Sequence, residues 1–232
     1  MTPVQCRQLQ NVLGLSSPPV ALAYRTEPPP GVPRVTAPMP AGCGYWKAAA
    51  EGRTFYTEAS DHFGCPVGAY TNGVSMTDEK TRELGSMVET MVSLEYLRRD
   101  EVPQIPRRTE PFAFLVYAPL ADAPFEPDLV LIRGNARQIM LLTEAARAGG
   151  VPSGQTLGRP ACSMIPAAMA GQETVASFGC IGNRVYTELP DDEMYMAIPR
   201  AHLSTVVERL TAIVAANSAL EQFHLQRRAA VV

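Results

Sequence analysis

The feature that most constrains this 232-residue chain is a stretch of sequence that occurs twice. Both copies contain the pattern Cys-x4-Ala-Ala-x-x-Gly, which begins at Cys43 in the first copy and at Cys162 in the second. Each copy continues to a Phe-Gly-Cys triplet, which ends at Cys65 and at Cys180. Similar units in one assembly usually pack about an approximate two-fold axis. The repeat therefore predicts one domain, residues 1–232, made of two pseudo-symmetric halves at about 14–100 and 111–224.

The apolar pattern predicts an α/β or α+β fold with a mixed sheet and flanking helices. Residues 19–24, 111–117 and 128–132 are apolar runs of strand length, and the last is followed at once by a helix that Asn135 can cap. Helical spacing of apolar residues predicts long helices at 77–99 and 201–224. Residues 184–189 and 194–198 are predicted to form a hairpin around a proline turn.

Four cysteines converge if each half places its pair near the axis. They are Cys43, Cys65, Cys162 and Cys180, whereas Cys6 lies outside both copies. Four cysteine thiolates are the usual ligands of an iron–sulfur cluster, and a 4Fe–4S cluster is the cofactor we expect. Glycines beside these cysteines let backbone N–H groups approach sulfur closely. The glycines assigned to this role are Gly64, Gly68, Gly179 and Gly182.

Other chemistry fits the same residues. Four thiolates also suit a tetrahedral structural zinc, although no Cys-x2-Cys pair is present, and free cysteines are often simply buried. A metal-free alternative is a module whose cleft between the halves binds a small organic ligand or cofactor beside Tyr45 and Trp46. A third reading is a thiol enzyme with Cys65 as nucleophile, His62 as base and Asp61 orienting it. The sequence leaves open whether the chain is an enzyme.

Charge and hydropathy exclude several classes of protein. Twenty basic and 23 acidic residues give a formal net charge of −3, so we expect no nucleic-acid partner. Apolar runs are too short for a membrane span, and the first residues do not resemble a signal peptide, which predicts a cytoplasmic protein. The partners that we expect are a redox partner protein or a small-molecule ligand, and homo-oligomerisation is left open.

Four segments resemble a known family. They are the Gly14-Leu15 to Pro19-Val20-Ala21 stretch, Cys65-Pro66-Val67-Gly68-Ala69, Asp128 to Asn135, and the long run from Ser177 to Met194. Over about residues 13–210, the chain resembles the bacterial and archaeal domain-of-unknown-function family 169. The resemblance implies a soluble single-domain protein, similar to many from anaerobic and facultative prokaryotes, a setting that suits iron–sulfur chemistry. It carries over no catalytic residues.

Overall fold

The computed structural model describes residues 3–155 and 160–230, with side chains described from Cys6 onward. The predicted unit 1–232 extends two residues beyond this description at each end. The prediction of one domain with halves at 14–100 and 111–224 stays a prediction.

Seven strands form one mixed sheet in the order β2-β3-β1-β4-β7-β6-β5. The strands are β1 (Val20–Arg25), β2 (Phe55–Thr57), β3 (Phe114–Pro119), β4 (Leu129–Asn135), β5 (Ser153–Gln155), β6 (Thr174–Ser177) and β7 (Glu193–Pro199). All neighbouring pairs are antiparallel except β5 and β6. The predicted class, α/β or α+β with a mixed sheet, is confirmed.

Helices cover both faces of the sheet. They are α1 (Pro3–Leu13), α2 (Gly44–Ala50), α3 (Pro66–Thr71), α4 (Asp78–Ser93), α5 (Ala136–Ala148), α6 (Met164–Gly171), α7 (Ile181–Thr187) and α8 (Arg200–Ala229). Strand β4 is buried on both sides, so Val130 and Ile132 face the core formed with α1, α5 and α8. Leu129 and Leu131 face the second core, which contains α2 and α6. This burial on both faces explains why residues 129–132 of β4 are all apolar.

The order of elements is similar on the two sides of the β1–β4 pair. Strands β1, β2 and β3 alternate with α2 and α3, and β4, β6 and β7 alternate with α6 and α7. The sheet order β2-β3-β1 is mirrored by β6-β7-β4, and β1 and β4 pair antiparallel at the centre. This shared order is compatible with the predicted duplication and groups β3 with the first set of strands.

The predicted hairpin is wrong in its first strand. Residues 181–187 form helix α7, because Cys180 caps the helix and burial there has a helical period. Asn183 and Thr187, four residues apart, face the interior, whereas Val185 is 65% and Tyr186 is 43% exposed. Aromatic and β-branched residues favour strands on average, but here tertiary packing overrides that preference.

The two long helices also differ from their predicted bounds. Helix α4 begins as expected after its cap Thr77 but ends at Ser93, because Glu95 adopts a left-handed φ of 56° and reverses the chain. Helix α8 is longer than predicted and continues to Ala229. In the stretches that the structure covers, none of the helices combines the length and apolar character needed to cross a bilayer.

His62 belongs to the core near β2, although its neighbours in sequence suggest a loop. Its side chain is buried, and Nε2 lies 2.8 Å from Thr57 Oγ1. Because the Thr57 hydroxyl donates to the Leu115 carbonyl oxygen, we infer that Nε2 carries the proton and donates to Thr57. Burial lowers the pKa of His62 to about 4, although the nearby Asp61 carboxylate acts in the opposite direction.

Acid is expected to destabilise the fold through His62. The unfolded histidine takes up a proton near pH 6.5, whereas the folded one does so only near its pKa of about 4. Neutral His62 therefore makes its full contribution to the free energy of unfolding above pH 6.5. About 3 kcal/mol of that free energy is lost as the pH falls to 4. Urea unfolding at a series of pH values measures this loss.

The variant His62→Gln should show a shallower loss of stability between pH 6.5 and 4. The same change at the exposed His224 serves as the control and should leave the wild-type acid dependence unchanged. Equal pH dependence in wild type and His62→Gln would contradict the assignment.

Candidate functional site

Two cysteines cap short helices in the same way. Cys65 precedes α3 and Cys180 precedes α7, and each sulfur accepts a hydrogen bond from the backbone N–H three residues later. The donors are Gly68 N and Asn183 N, both 3.4 Å from sulfur. A thiolate is a stronger acceptor than a thiol, so these caps are better matched to the deprotonated forms.

The other two cysteines stand just before the Ala-rich helices. Cys43 is the N-cap of α2, and Cys162 lies in a single 3-10 turn, Ala161–Ser163, that leads into α6. The Thr71 hydroxyl lies 3.0 Å from Cys162 Sγ and 3.1 Å from the Gly68 carbonyl oxygen, and it donates to the sulfur when Cys162 is deprotonated. Each of these two cysteines therefore lies at or near the beginning of a short helix.

Packing between the two sets of elements brings these cysteines together. Helix α2 packs against α7, and α3 packs against the turn that contains Cys162. Lys47 of α2 also forms an ion pair with Glu188, at the end of α7. The four half-buried sulfurs of Cys43, Cys65, Cys162 and Cys180 line one cavity of about 280 Å³. The structure thus places all four predicted metal ligands around one space, which we call the cysteine cavity.

The four cysteine sulfurs are not arranged as the ligands of one metal ion. A tetrahedral zinc with bonds of 2.3 Å would hold its sulfurs about 3.8 Å apart. Across residues 3–155 and 160–230, no three His, Cys, Asp or Glu side chains are close enough together to hold one metal ion.

Burial makes the thiols of Cys43, Cys65 and Cys162 poor acids in the metal-free protein. It raises the pKa of Cys43 to about 12, raises that of Cys65, and moves that of Cys162 well above its ordinary value. Neighbouring cysteines raise these values further, because several negative charges in one cavity repel one another. The hydrogen bond from Thr71 acts in the opposite direction on Cys162. A bound cation would reverse the balance in favour of thiolate.

Three of the four glycines assigned to the site line the cysteine cavity. These are Gly64, Gly68 and Gly182. Gly179 lies behind them with a φ of +79°, and a Cβ there would stand 2.8 Å from Asn183 Oδ1. Gly68 alone among the four donates its own N–H to a cysteine sulfur in the described hydrogen bonds.

Tyr45 and Trp46 do not line the cysteine cavity. Both are buried in the core beside the sheet, where Trp46 packs edge-on against Tyr195 at 5.5 Å between ring centroids. The Tyr45 hydroxyl donates to the Asp61 carbonyl oxygen at 2.7 Å. These aromatic side chains support the fold and are not positioned as walls of the cavity.

The proposed Cys65, His62 and Asp61 arrangement is not assembled. His62 bonds to Thr57 and is not among the residues that line the cavity. The Asp61 carboxylate pairs with Arg34 and accepts the backbone N–H of Glu58. Cys65 lies in the cavity without His62, so this structure gives it no adjacent base of the predicted kind.

Much of the remaining cavity wall is apolar, and a large part of it comes from the connection between α3 and β3. We call residues 73–108 the insert segment. The lining side chains that it contributes are Met87, Met91, Tyr96, Leu97 and Ile105. Its two ends meet where Arg108 N donates to the Thr71 carbonyl oxygen at 2.9 Å, beside Gly73, whose φ is +71°. Helix α4, within this segment, has no buried residue.

Sequence reasoning missed Asn183, Thr71 and the insert segment as parts of the site. Asn183 follows Cys180 by three residues, the same offset as Gly68 from Cys65, so the spacing was visible in the repeat. Thr71 belongs to the repeated Tyr-Thr pair. The apolar face of α4 was visible too, but its periodicity suggested a core helix instead of a cavity wall.

Comparison with known proteins gives a family but no activity. Residues 8–209 match the family DUF169, which is described as Uncharacterised ArCR. An uncharacterised protein of Methanocaldococcus jannaschii, MJ0308, is 26% identical over 169 residues, which cover 70% of this chain and 72% of that protein. No solved structure matches the chain. Because the family match spans most of its length, the chain belongs to the DUF169 family.

Proposed function

We propose that this protein binds an iron–sulfur cluster between its two halves and has a redox or electron-transfer role. One observation carries the proposal: four cysteines from two separate parts of the chain line a single cavity. The proposed ligands are Cys43, Cys65, Cys162 and Cys180, and the proposed cluster is of the 4Fe–4S type.

The donor set and the space between the donors fit such a group. A 4Fe–4S cluster takes four cysteine thiolates and supplies one-electron redox chemistry when bound. Because a cluster's own atoms fill the space between its ligands, its cysteines line a cavity, as these do. The backbone N–H groups of Gly68 and Asn183 already point at two of the sulfurs, and hydrogen bonds of this kind tune the potential of a cluster.

The choice of cap residues also supports a role for sulfur. Helix N-caps are normally Ser, Thr, Asp or Asn, whose oxygens accept N–H bonds better than a thiol does. Cys65 and Cys180 cap α3 and α7 through their sulfurs, whereas Cys43 stands before α2 without a side-chain cap hydrogen bond. A ligand that requires thiolate explains two sulfur caps at one cavity more directly than helix stability does.

A second candidate is a metal-free module that binds an organic ligand in the same cavity. The apolar side chains of the insert segment favour it, because small-molecule sites are concave and mostly apolar. In this candidate the ligand binds in the cysteine cavity, whereas the sequence predicted a site beside Tyr45 and Trp46. Colourless protein that protects its thiols from alkylation only when an organic ligand is added would favour it.

The cluster proposal implies a redox protein as the physiological partner. It also implies a compartment that keeps thiols reduced, and we propose the cytoplasm. The third reading, an enzyme with Cys65 as nucleophile, stays a prediction. The raised pKa of Cys65 and the engagement of His62 with Thr57 give it little support.

Loading with iron and sulfide under anaerobic conditions tests the first proposal. The wild-type protein should turn brown with about four irons per chain, as a 4Fe–4S cluster requires. Replacing any one of the four cavity cysteines with Ala should reduce bound iron and visible absorption severely, because a ligand is lost. The measurements are the visible spectrum and the iron content.

Cys6→Ala is the matched control. Cys6 is buried in the core on the other face of the sheet, with α1, α5 and α8, so this variant should bind iron as the wild type does. A wild-type protein that stays colourless, or cavity variants that load as fully as Cys6→Ala, would overturn the cluster proposal.

Metal binding should strengthen as the pH rises, because binding displaces protons from thiols whose pKa values are raised. Apparent affinity for the iron–sulfur cluster, followed through its visible absorption between pH 6.5 and 8.5, should rise by up to about tenfold per pH unit for each proton displaced. Thr71→Val removes the hydroxyl that lowers the pKa of Cys162. The rise of affinity with pH should therefore occur at higher pH in this variant than in the wild type. Affinity that does not change with pH would contradict this account.

A further inference from the structure

Two asparagines with opposite hydrogen-bonding states line the cysteine cavity. Asn72 and Asn183 are 5% and 2% exposed. The Asn72 amide is satisfied at both ends: Oδ1 accepts from the Tyr24 hydroxyl at 2.8 Å, and Nδ2 donates to the Gly68 carbonyl oxygen at 2.9 Å. Asn183 Oδ1 and Nδ2 lie near the Cys43 thiol and the Tyr195 hydroxyl, but within the described part of the chain neither atom forms a hydrogen bond of normal geometry. A buried amide that is paired this poorly is costly, so it needs an explanation.

The position of Asn183 is fixed by the groups around it. Its backbone N–H donates to Cys180 Sγ, and its carbonyl oxygen accepts from the Thr187 hydroxyl at 2.7 Å. The glycine at position 179 leaves room for the amide, because a Cβ there would approach Asn183 Oδ1 to 2.8 Å. The side chain is therefore held at the cavity, next to Cys43, without forming a hydrogen bond of normal geometry.

We infer that Asn183 contacts the group bound in the cysteine cavity and that its amide N–H donates to a sulfur of the proposed cluster. This inference rests on the proposed function. The unpaired amide is a binding group whose partner arrives with the ligand, whereas Asn72 is a structural residue of the same cavity wall. Asn183 thus becomes a fifth protein side chain at the site, in addition to the four cysteines.

The contact has a definite electrostatic consequence. Reduction adds negative charge to a cluster, and an N–H directed at its sulfur stabilises that charge. Removal of the Asn183 amide should therefore shift the midpoint potential to a more negative value. It should also make release of iron to a chelator about ten- to a hundredfold faster, the range typical when a group that supports metal ligands is lost.

The experiment compares Asn183→Leu with Asn72→Leu as the matched control. In metal-free protein, Asn183→Leu should unfold at the same urea concentration as wild type or a higher one, because it removes an unsatisfied amide. Asn72→Leu should unfold at a lower concentration, because Tyr24 and Gly68 lose their partner. Both proteins are then loaded anaerobically with iron and sulfide for redox titration and chelator kinetics.

The near-isosteric Asn183→Asp variant serves as a second probe of the loaded protein. It keeps the shape of the side chain, lacks the N–H donor and adds a carboxylate, so its potential should also be more negative than that of wild type. Loaded wild type and Asn183 variants with the same potential and the same rate of iron release would overturn this inference alone. A metal-free Asn183→Leu protein that is clearly less stable than wild type would assign a structural role to Asn183 and would also overturn it. Wild type that binds no cluster would overturn both this inference and the proposed function.

Discussion

The cavity depends on the antiparallel pairing of β1 with β4 at the centre of the sheet. In that pairing Ala21 lies opposite Val130. The strands β3 and β2 follow on the β1 side, and β7, β6 and β5 follow on the β4 side. The cysteine-bearing helices of both sets then lie on the same face, where α2 meets α7 and α3 meets the turn before α6. Helices as short as α3 and α7 are not stable in isolation, so these cross-contacts also hold the helices themselves in place.

Much of the fold could be predicted from the sequence because short-range residue patterns determine its helices and strands. Strand β4 and helix α5 are the clearest case, since Asn135 and Gln138 form a capping box that fixes the boundary between them. Helix α7 was missed because its inward-facing residues are Asn183 and Thr187, and an apolar-periodicity argument gives polar residues no weight. The end of α4 was also missed, because nothing in the helical pattern marks Glu95 as left-handed.

The site was predictable in its cysteines and less so in everything else. The repeat identified four sulfurs that long-range packing then placed around one cavity. His62, Tyr45 and Trp46 are close to these cysteines in sequence, yet their side chains turn into the core, because sequence proximity does not fix side-chain direction. The contribution of residues 73–108 could not be inferred, since these residues lie outside the repeated pattern that identified the cysteines.

The connection between the last helix and the last strand differs greatly between the two sets of elements. Only residues 188–192 join α7 to β7, whereas residues 72–113 join α3 to β3 and supply the insert segment. Because the Arg108 N to Thr71 carbonyl hydrogen bond brings the two ends of the long connection together, its length and sequence can change with little effect on the sheet. The cysteines and the apolar wall beside them thus belong to separate parts of the chain. Exchanging this connection while keeping the four sulfurs is therefore a way to change which molecules the cavity accepts.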